Sequence, residues 1–203
     1  MLRYLVLGLV LLATVLSVSA CFPLVAGGAM VSGLVAVDRR TSGAMLEDQS
    51  IELKIGSRIR ETLGERVHIN VTSYNRKVLL TGEVPDLQDK ERAGELARNI
   101  DNITQVWNEV GVTAISSLTE RTNDMVTTGR IKADLIDAKD LFSNAFKIVV
   151  ERGNAYVMGR ITAREAKRVS SVISGVSGVK KVVLVHETIT EDELANIQLK
   201  PAN

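Results

Sequence analysis

The chain has 203 residues, enough for one ordinary domain or two small ones. Its 25 basic and 24 acidic side chains nearly cancel, which argues against a nucleic-acid-binding protein. Aromatic residues at 3% argue against recognition by ring stacking, and a single cysteine excludes an intramolecular disulfide.

Met1-Leu2-Arg3 precedes an apolar run, Leu5 to Leu16, that leads into Val18-Ser19-Ala20-Cys21. A short basic end, a short apolar stretch and small residues at a cut site predict a secretory signal peptide over residues 1–20. The run is shorter than the roughly 20 residues a transmembrane helix needs. An aliphatic residue, two small residues and Cys resembles the bacterial lipobox. That resemblance implies that Cys21 is lipidated and becomes the first residue of the mature chain. Phe22 follows where Asp would favour the inner membrane, so the expected location is the periplasmic face of the outer membrane. Several acyl chains, at about 0.8 kcal/mol per buried CH₂, make a durable anchor. Residues 21–49 read as this lipidated N-terminus and a flexible tether. Small residues dominate Phe22 to Val37, and Asp38-Arg39-Arg40-Thr41-Ser42-Gly43 is a polar break. A short helix lying on the membrane is the alternative.

The remainder repeats itself. INVTSYNRKVLLTGEV (Ile69 to Val84) aligns with FKIVVERGNAYVMGRI (Phe146 to Ile161) at an offset of 77 residues without a gap. Leu80, Gly82 and Val84 then fall on Val157, Gly159 and Ile161. Each copy opens with a helix, marked by the apolar stripes Ile51, Ile55, Ile59, Leu63 and Ile131, Leu135, Ala138. Two strands follow, with Gly153-Asn154 as a hairpin turn in the second copy. A second helix carries Ala93, Leu96, Ala97 and Ile100 on one face. Its start is marked by Pro85-Asp86 in the first copy, and by the capping box of Thr162 and Glu165 in the second. A last strand closes each copy, near Thr104 to Val112 and Lys180 to Glu187. The fold class is therefore α+β: two tandem units of order α-β-β-α-β, each with two helices on a three-stranded mixed sheet. Their limits are residues 50–113 and 124–188, with a linker at 114–123 and a C-terminal tail at 189–203. Gly82 and Gly159 read as structural glycines at a bulge or close backbone approach, because neither stands in a glycine-rich phosphate cradle.

LLTGEV, YVMGRITAREAK (Tyr156 to Lys167) and SGVSGVKKV (Ser174 to Val182) resemble the BON domain. Two such units behind a lipobox resemble the dual-BON outer-membrane lipoproteins of the DolP type over about residues 37–187. The resemblance implies a non-enzymatic envelope protein that binds anionic phospholipid through the first helix of the second unit and supports envelope integrity.

The residues show little chemistry. No Cys, His or acidic cluster has metal-ligand spacing. His68 and His186 fall in strands of different units, His68 as an outward residue, and no Ser lies in a nucleophile elbow. No catalytic residue, metal or cofactor is expected. The first helix of the second unit is more informative. With Ile131, Leu135 and Ala138 toward the core, Val126, Gly129, Ala133 and Ile136 fall opposite at 100° per residue, and Arg130 and Lys132 lie on the flanks. The corresponding strip of the first unit, Leu53, Ser57, Arg60 and Gly64, is mostly polar. An apolar strip bordered by cations suits an anionic membrane surface, with phosphatidylglycerol and cardiolipin as the expected ligands. At the place of Val126 the family motif can carry Trp, a stronger interfacial anchor. Two rival readings fit the same residues. One is an adaptor that docks on outer-membrane assembly proteins through the same strip. The other is a chaperone-like periplasmic stress protein.

Overall fold

A computed structural model describes residues 38–199. The signal peptide, Cys21 and the tether up to residue 37 lie outside the described residues. The elements in chain order are α1 (Ser42–Leu63), β1 (His68–Tyr74), β2 (Lys77–Val84), α2 (Leu87–Arg98), β3 (Gln105–Asn108) and β4 (Gly111–Val112). Then come α3 (Leu118–Asp137), β5 (Phe146–Glu151), β6 (Asn154–Ile161), α4 (Ala163–Ser174), β7 (Lys181–Leu184), β8 (Glu187–Thr188) and α5 (Glu191–Leu199).

The two units are built alike. β1 runs antiparallel to β2, and β3 and β4 pair parallel to β2 on its other edge. β5, β6, β7 and β8 repeat this pattern. The last strand of each unit is thus one ladder broken at Glu109-Val110 and at Val185-His186, where Val110 and Val185 turn inward and are buried. In the first unit Ile51, Ile55, Ile59 and Leu63 of α1 pack with Ala93, Leu96 and Ala97 of α2 over Val78, Leu80 and Val84 of β2. In the second, Ile131 and Leu135 of α3 meet Ala166, Val169 and Ile173 of α4 over Ala155, Val157 and Ile161 of β6.

Alternation along β2 and β6 sends the intervening side chains to the opposite face. There Tyr74 and Leu79 meet Tyr156, Met158 and Val185 in a third buried cluster. The two sheets therefore pack on each other, with their helix pairs outside. This explains why the central strands are buried on both faces. Polar contacts ring the seam: Lys147 reaches Glu52 at 2.8 Å, Asn75 reaches Glu187 at 2.8 Å, and Asn70 reaches Glu151 at 3.0 Å.

Several boundaries differ from the sequence reading. The stretch assigned to the tether is ordered from Asp38. Thr41 caps α1, which starts at Ser42 rather than near residue 50. Arg39 is buried and makes a two-pronged ion pair with Glu165 of the second unit at 2.7 and 2.8 Å. Arg40 joins Asp38 and Asp48, and its guanidinium lies over the Tyr74 ring. The expected linker 114–123 is partly helical, because Ser117 and Glu120 form a capping box that opens α3 at Leu118. The expected tail contains α5, whose Leu194 is buried. The second hairpin turns on Arg152-Gly153, one residue before the expected pair. Both have positive φ, as do Asn75-Arg76 in the first unit, and a two-residue type I′ turn requires that sign at both positions. Each turn is held by an aspartate of the preceding helix. Asp48 accepts from the N–H groups of Asn75 and Arg76, and Asp124 from those of Arg152 and Gly153.

The strand glycines make close approaches. Gly82 has φ +106°, and a Cβ there would lie 2.0 Å from the His68 carbonyl oxygen. A Cβ on Gly159 would lie 2.6 Å from that of Ala145.

Candidate functional site: the outward face of the helix Leu118–Asp137

The inner side of α3 is fixed by Thr127, Ile131 and Leu135, all buried. Thr127 packs at Gly178, where a Cβ would come within 2.5 Å of its Oγ1. With that side pinned, 100° per residue dictates what faces water. Val126 is 48% exposed and Ile136 68% exposed. Gly129, Arg130, Lys132 and Ala133 are exposed as well. All six expected residues thus lie on the surface of one helix. Among the described residues a Cβ at Gly129 would meet nothing within 4 Å, so the strip has a shallow open waist there.

The structure adds members that the sequence reading missed. Leu118 is 81% exposed and Met125 74% exposed, and both share the face of Gly129 and Ile136. Phe142, just beyond the helix end, is 63% exposed. The spacing of Leu118 and Met125 from Ile136 was already legible, since Leu118, Met125, Gly129 and Ile136 follow one line of the wheel. The border of the strip is less uniform than expected. Arg130 points partly toward the Ser177 carbonyl, at 3.3 Å, and exposed Asp134 and Asp137 lie on its flank. Lys132 stands on the other flank.

Beside Lys132 a groove of about 670 Å³ separates the C-terminal half of α3 from the first unit. Asp38, Arg40, Tyr74, Lys132, Ile136 and Lys147 contribute to its walls. Burial pushes the Asp38 carboxylate up, but hydrogen bonds and charge from Arg40 outweigh this and hold it below the usual range. Burial and the Asp38 charge raise the Tyr74 phenol, so it stays a hydroxyl. Asp38 and Arg40 thus share this groove with Lys132 and Ile136.

His68 is not simply outward. Its side chain is 22% exposed and its Nδ1 lies 2.9 Å from Glu83 Oε2. Burial and the neighbouring Glu83 charge raise the pKa of Glu151, despite the hydrogen bond from Asn70. Burial lowers the pKa of His186. Among the described residues no helix is long and apolar enough to cross a membrane.

Comparison with known proteins adds the kinship. The chain is 29% identical to outer membrane lipoprotein DolP of Haemophilus influenzae over 178 residues, covering 87% of this chain and 92% of that protein. It is 28% identical to the 21 kDa hemolysin of Actinobacillus pleuropneumoniae, covering 73% of this chain and 78% of that protein. Among solved structures, CdsD, a structural protein of the type III secretion system of Chlamydia trachomatis, aligns with 76% of this chain and 100% of its own. That alignment has 12% identity and a TM-score of 0.30, too slight to bear on the fold. The BON domain matches residues 47–114 and 123–185, the two α-β-β-α-β units described above, and the chain belongs to the BON-domain family.

Proposed function

We propose that this protein is an outer-membrane lipoprotein, held at the periplasmic face by lipid on Cys21, whose α3 binds anionic phospholipid and so supports envelope integrity. The reading involves recognition without catalysis. One observation carries it: Leu118, Met125, Val126 and Ile136 are exposed together on a helix whose opposite side is locked in the core. Scattered exposed apolar residues are ordinary, but an aligned strip points to a contact. An apolar side chain gains about 1.5–3 kcal/mol on full burial. A cation near an anionic leaflet adds about 1 kcal/mol. Arg130 and Lys132 supply that term, and Val126, Ala133 and Ile136 enter the acyl boundary.

The docked segment Asp38–Arg40 supports the same reading. Asp38 and Arg40 share a groove wall with Lys132 and Ile136, the residues of the proposed contact. The anchor then supplies residence and the helix supplies selectivity, each raising the effective concentration of the other.

Vesicle flotation of the chain from residue 22 onward tests this, because it retains every described contact. Binding to phosphatidylglycerol or cardiolipin vesicles, and not to phosphatidylcholine, is expected. Ile136→Asp with Arg130→Glu abolishes it. Unchanged binding by the double variant means that the lipid face lies elsewhere. No binding by the parent favours an interface with envelope assembly proteins.

A further inference from the structure

The seam between the two units brings together three side chains that the lipid reading does not use. His68 of β1 and Glu83 of β2 are direct cross-strand partners, and Glu151 ends β5 of the other unit. One ligand atom from each, a ring nitrogen of His68 and a carboxylate oxygen from each glutamate, lies within 4.8 Å of the other two. We propose that these residues form a divalent-metal site of the zinc class, bridging the two units.

Charge is the first argument. Glu83 is fully buried and Glu151 is 8% exposed, so two carboxylates sit side by side out of water. Buried charge is costly unless paired. Glu83 Oε2 lies 2.9 Å from His68 Nδ1, but among the described residues the cation nearest Oε1 is Arg152, 3.9 Å away and itself 40% exposed. Among the described residues Glu83 Oε1 has no hydrogen-bond partner. A dication supplies the missing charge and a bond for that carboxylate.

The second argument is outer support. Ser116 Oγ donates to Glu83 Oε2 at 3.2 Å and is itself held by Arg121 Nε at 3.1 Å. Asn70 Nδ2 donates to Glu151 Oε2 at 3.0 Å. Carboxylates oriented in this way are a regular feature around bound metals. The neighbouring Asp124 is already committed to the turn N–H groups and is left out of the set.

Access and donor type complete the case. A cleft of about 270 Å³ opens beside the cluster, with His68 and Glu151 among its lining residues. One imidazole and two carboxylates, with room for water in a fourth position, suit zinc better than magnesium or calcium, which take all-oxygen shells. Bonds of about 2.0–2.2 Å in a tetrahedral shell require ligand atoms about 3.3–3.6 Å apart. Binding would therefore require His68 and Glu151 to rotate toward Glu83 at the cleft.

Titration calorimetry with Zn²⁺ alone, on the chain from residue 22 onward at pH 7, is the test. One ion per chain is expected, accompanied by a rise in Tm. His68→Ala and Glu151→Gln should each weaken binding at least tenfold and remove the Tm rise, while His186→Ala changes neither. Glu151→Gln keeps an oxygen for Asn70 and removes one buried charge, so it remains folded. Absence of stoichiometric heat, or wild-type affinity in folded Glu151→Gln, overturns the site. The cluster is then a hydrogen-bonded seam only.

Discussion

Arg39→Ala isolates the contact that fastens the N-terminal segment to the second unit. The side chains of Arg39 and Glu165 are 3% and 2% exposed, and two short hydrogen bonds join them. Arg39 also donates to the Arg160 carbonyl at 2.7 Å. Removing one partner of such a buried pair leaves an uncompensated charge and costs about 3–5 kcal/mol. For a domain of this size each kcal/mol lowers Tm by about 2–4 °C, so a fall of about 6–20 °C is expected. Urea denaturation of the chain from residue 22 onward reads the energy directly. Arg39→Met with Glu165→Gln should lose much less than Arg39→Ala alone, because no charge stays buried and Gln preserves the capping box at Thr162. A loss below about 1 kcal/mol for Arg39→Ala would refute the docking of this segment.

The same pair governs behaviour in acid. Burial raises the Glu165 pKa, but bonds from Arg39 and the Thr162 N–H prevail and leave it lowered. A carboxylate lowered in the folded state contributes fully above its ordinary pKa and loses that contribution as pH falls toward the folded value. Stability of the parent should therefore drop below the ordinary glutamate range, and Arg39→Ala should flatten that drop in acid titrations followed by circular dichroism. Gly82→Ala forces a side chain onto the His68 carbonyl at positive φ. Backbone strain alone is worth about 1–3 kcal/mol there, and a Tm unchanged in calorimetry would contradict the close approach. Leu79→Ala empties the cluster between the sheets and should cost about 2–5 kcal/mol. It should also broaden the urea transition as the two units cease to unfold together, and a single sharp wild-type transition would speak against that coupling. Vesicle binding should weaken steeply with added salt, as contact between surface cations and an anionic leaflet requires.

The repeated architecture was legible because each element carries its own periodic signal. Ile51, Ile55, Ile59 and Leu63 mark a helix face without reference to anything distant. The outward strip of α3 was legible as the complement of Ile131 and Leu135. The packing of the two sheets was not. Leu79, Tyr74, Tyr156 and Met158 look like ordinary alternate strand residues until the two sheets are placed together. The docking of Arg39 on Glu165 spans 126 positions, and no local pattern announces it. His68, Glu83 and Glu151 likewise come from three strands, so their spacing resembles no metal motif. The turn position was missed because Gly153-Asn154 looks favourable locally. Strand register, together with the N–H acceptor Asp124, places the turn one residue earlier.

The central claim is that the face of α3 carrying Val126 and Ile136 enters an anionic bilayer. The chain from residue 22 onward lacks cysteine, so single spin labels can be placed at Ile136→Cys and, as a control on the exposed side of α2, at Arg92→Cys. Relaxation by oxygen, which concentrates in the acyl region, and by a water-soluble nickel chelate gives the depth of each label. On phosphatidylglycerol vesicles the label at position 136 should lie below the phosphates and the label at 92 should stay in water. Equal access of the nickel chelate to both labels, with the protein bound, would contradict the account.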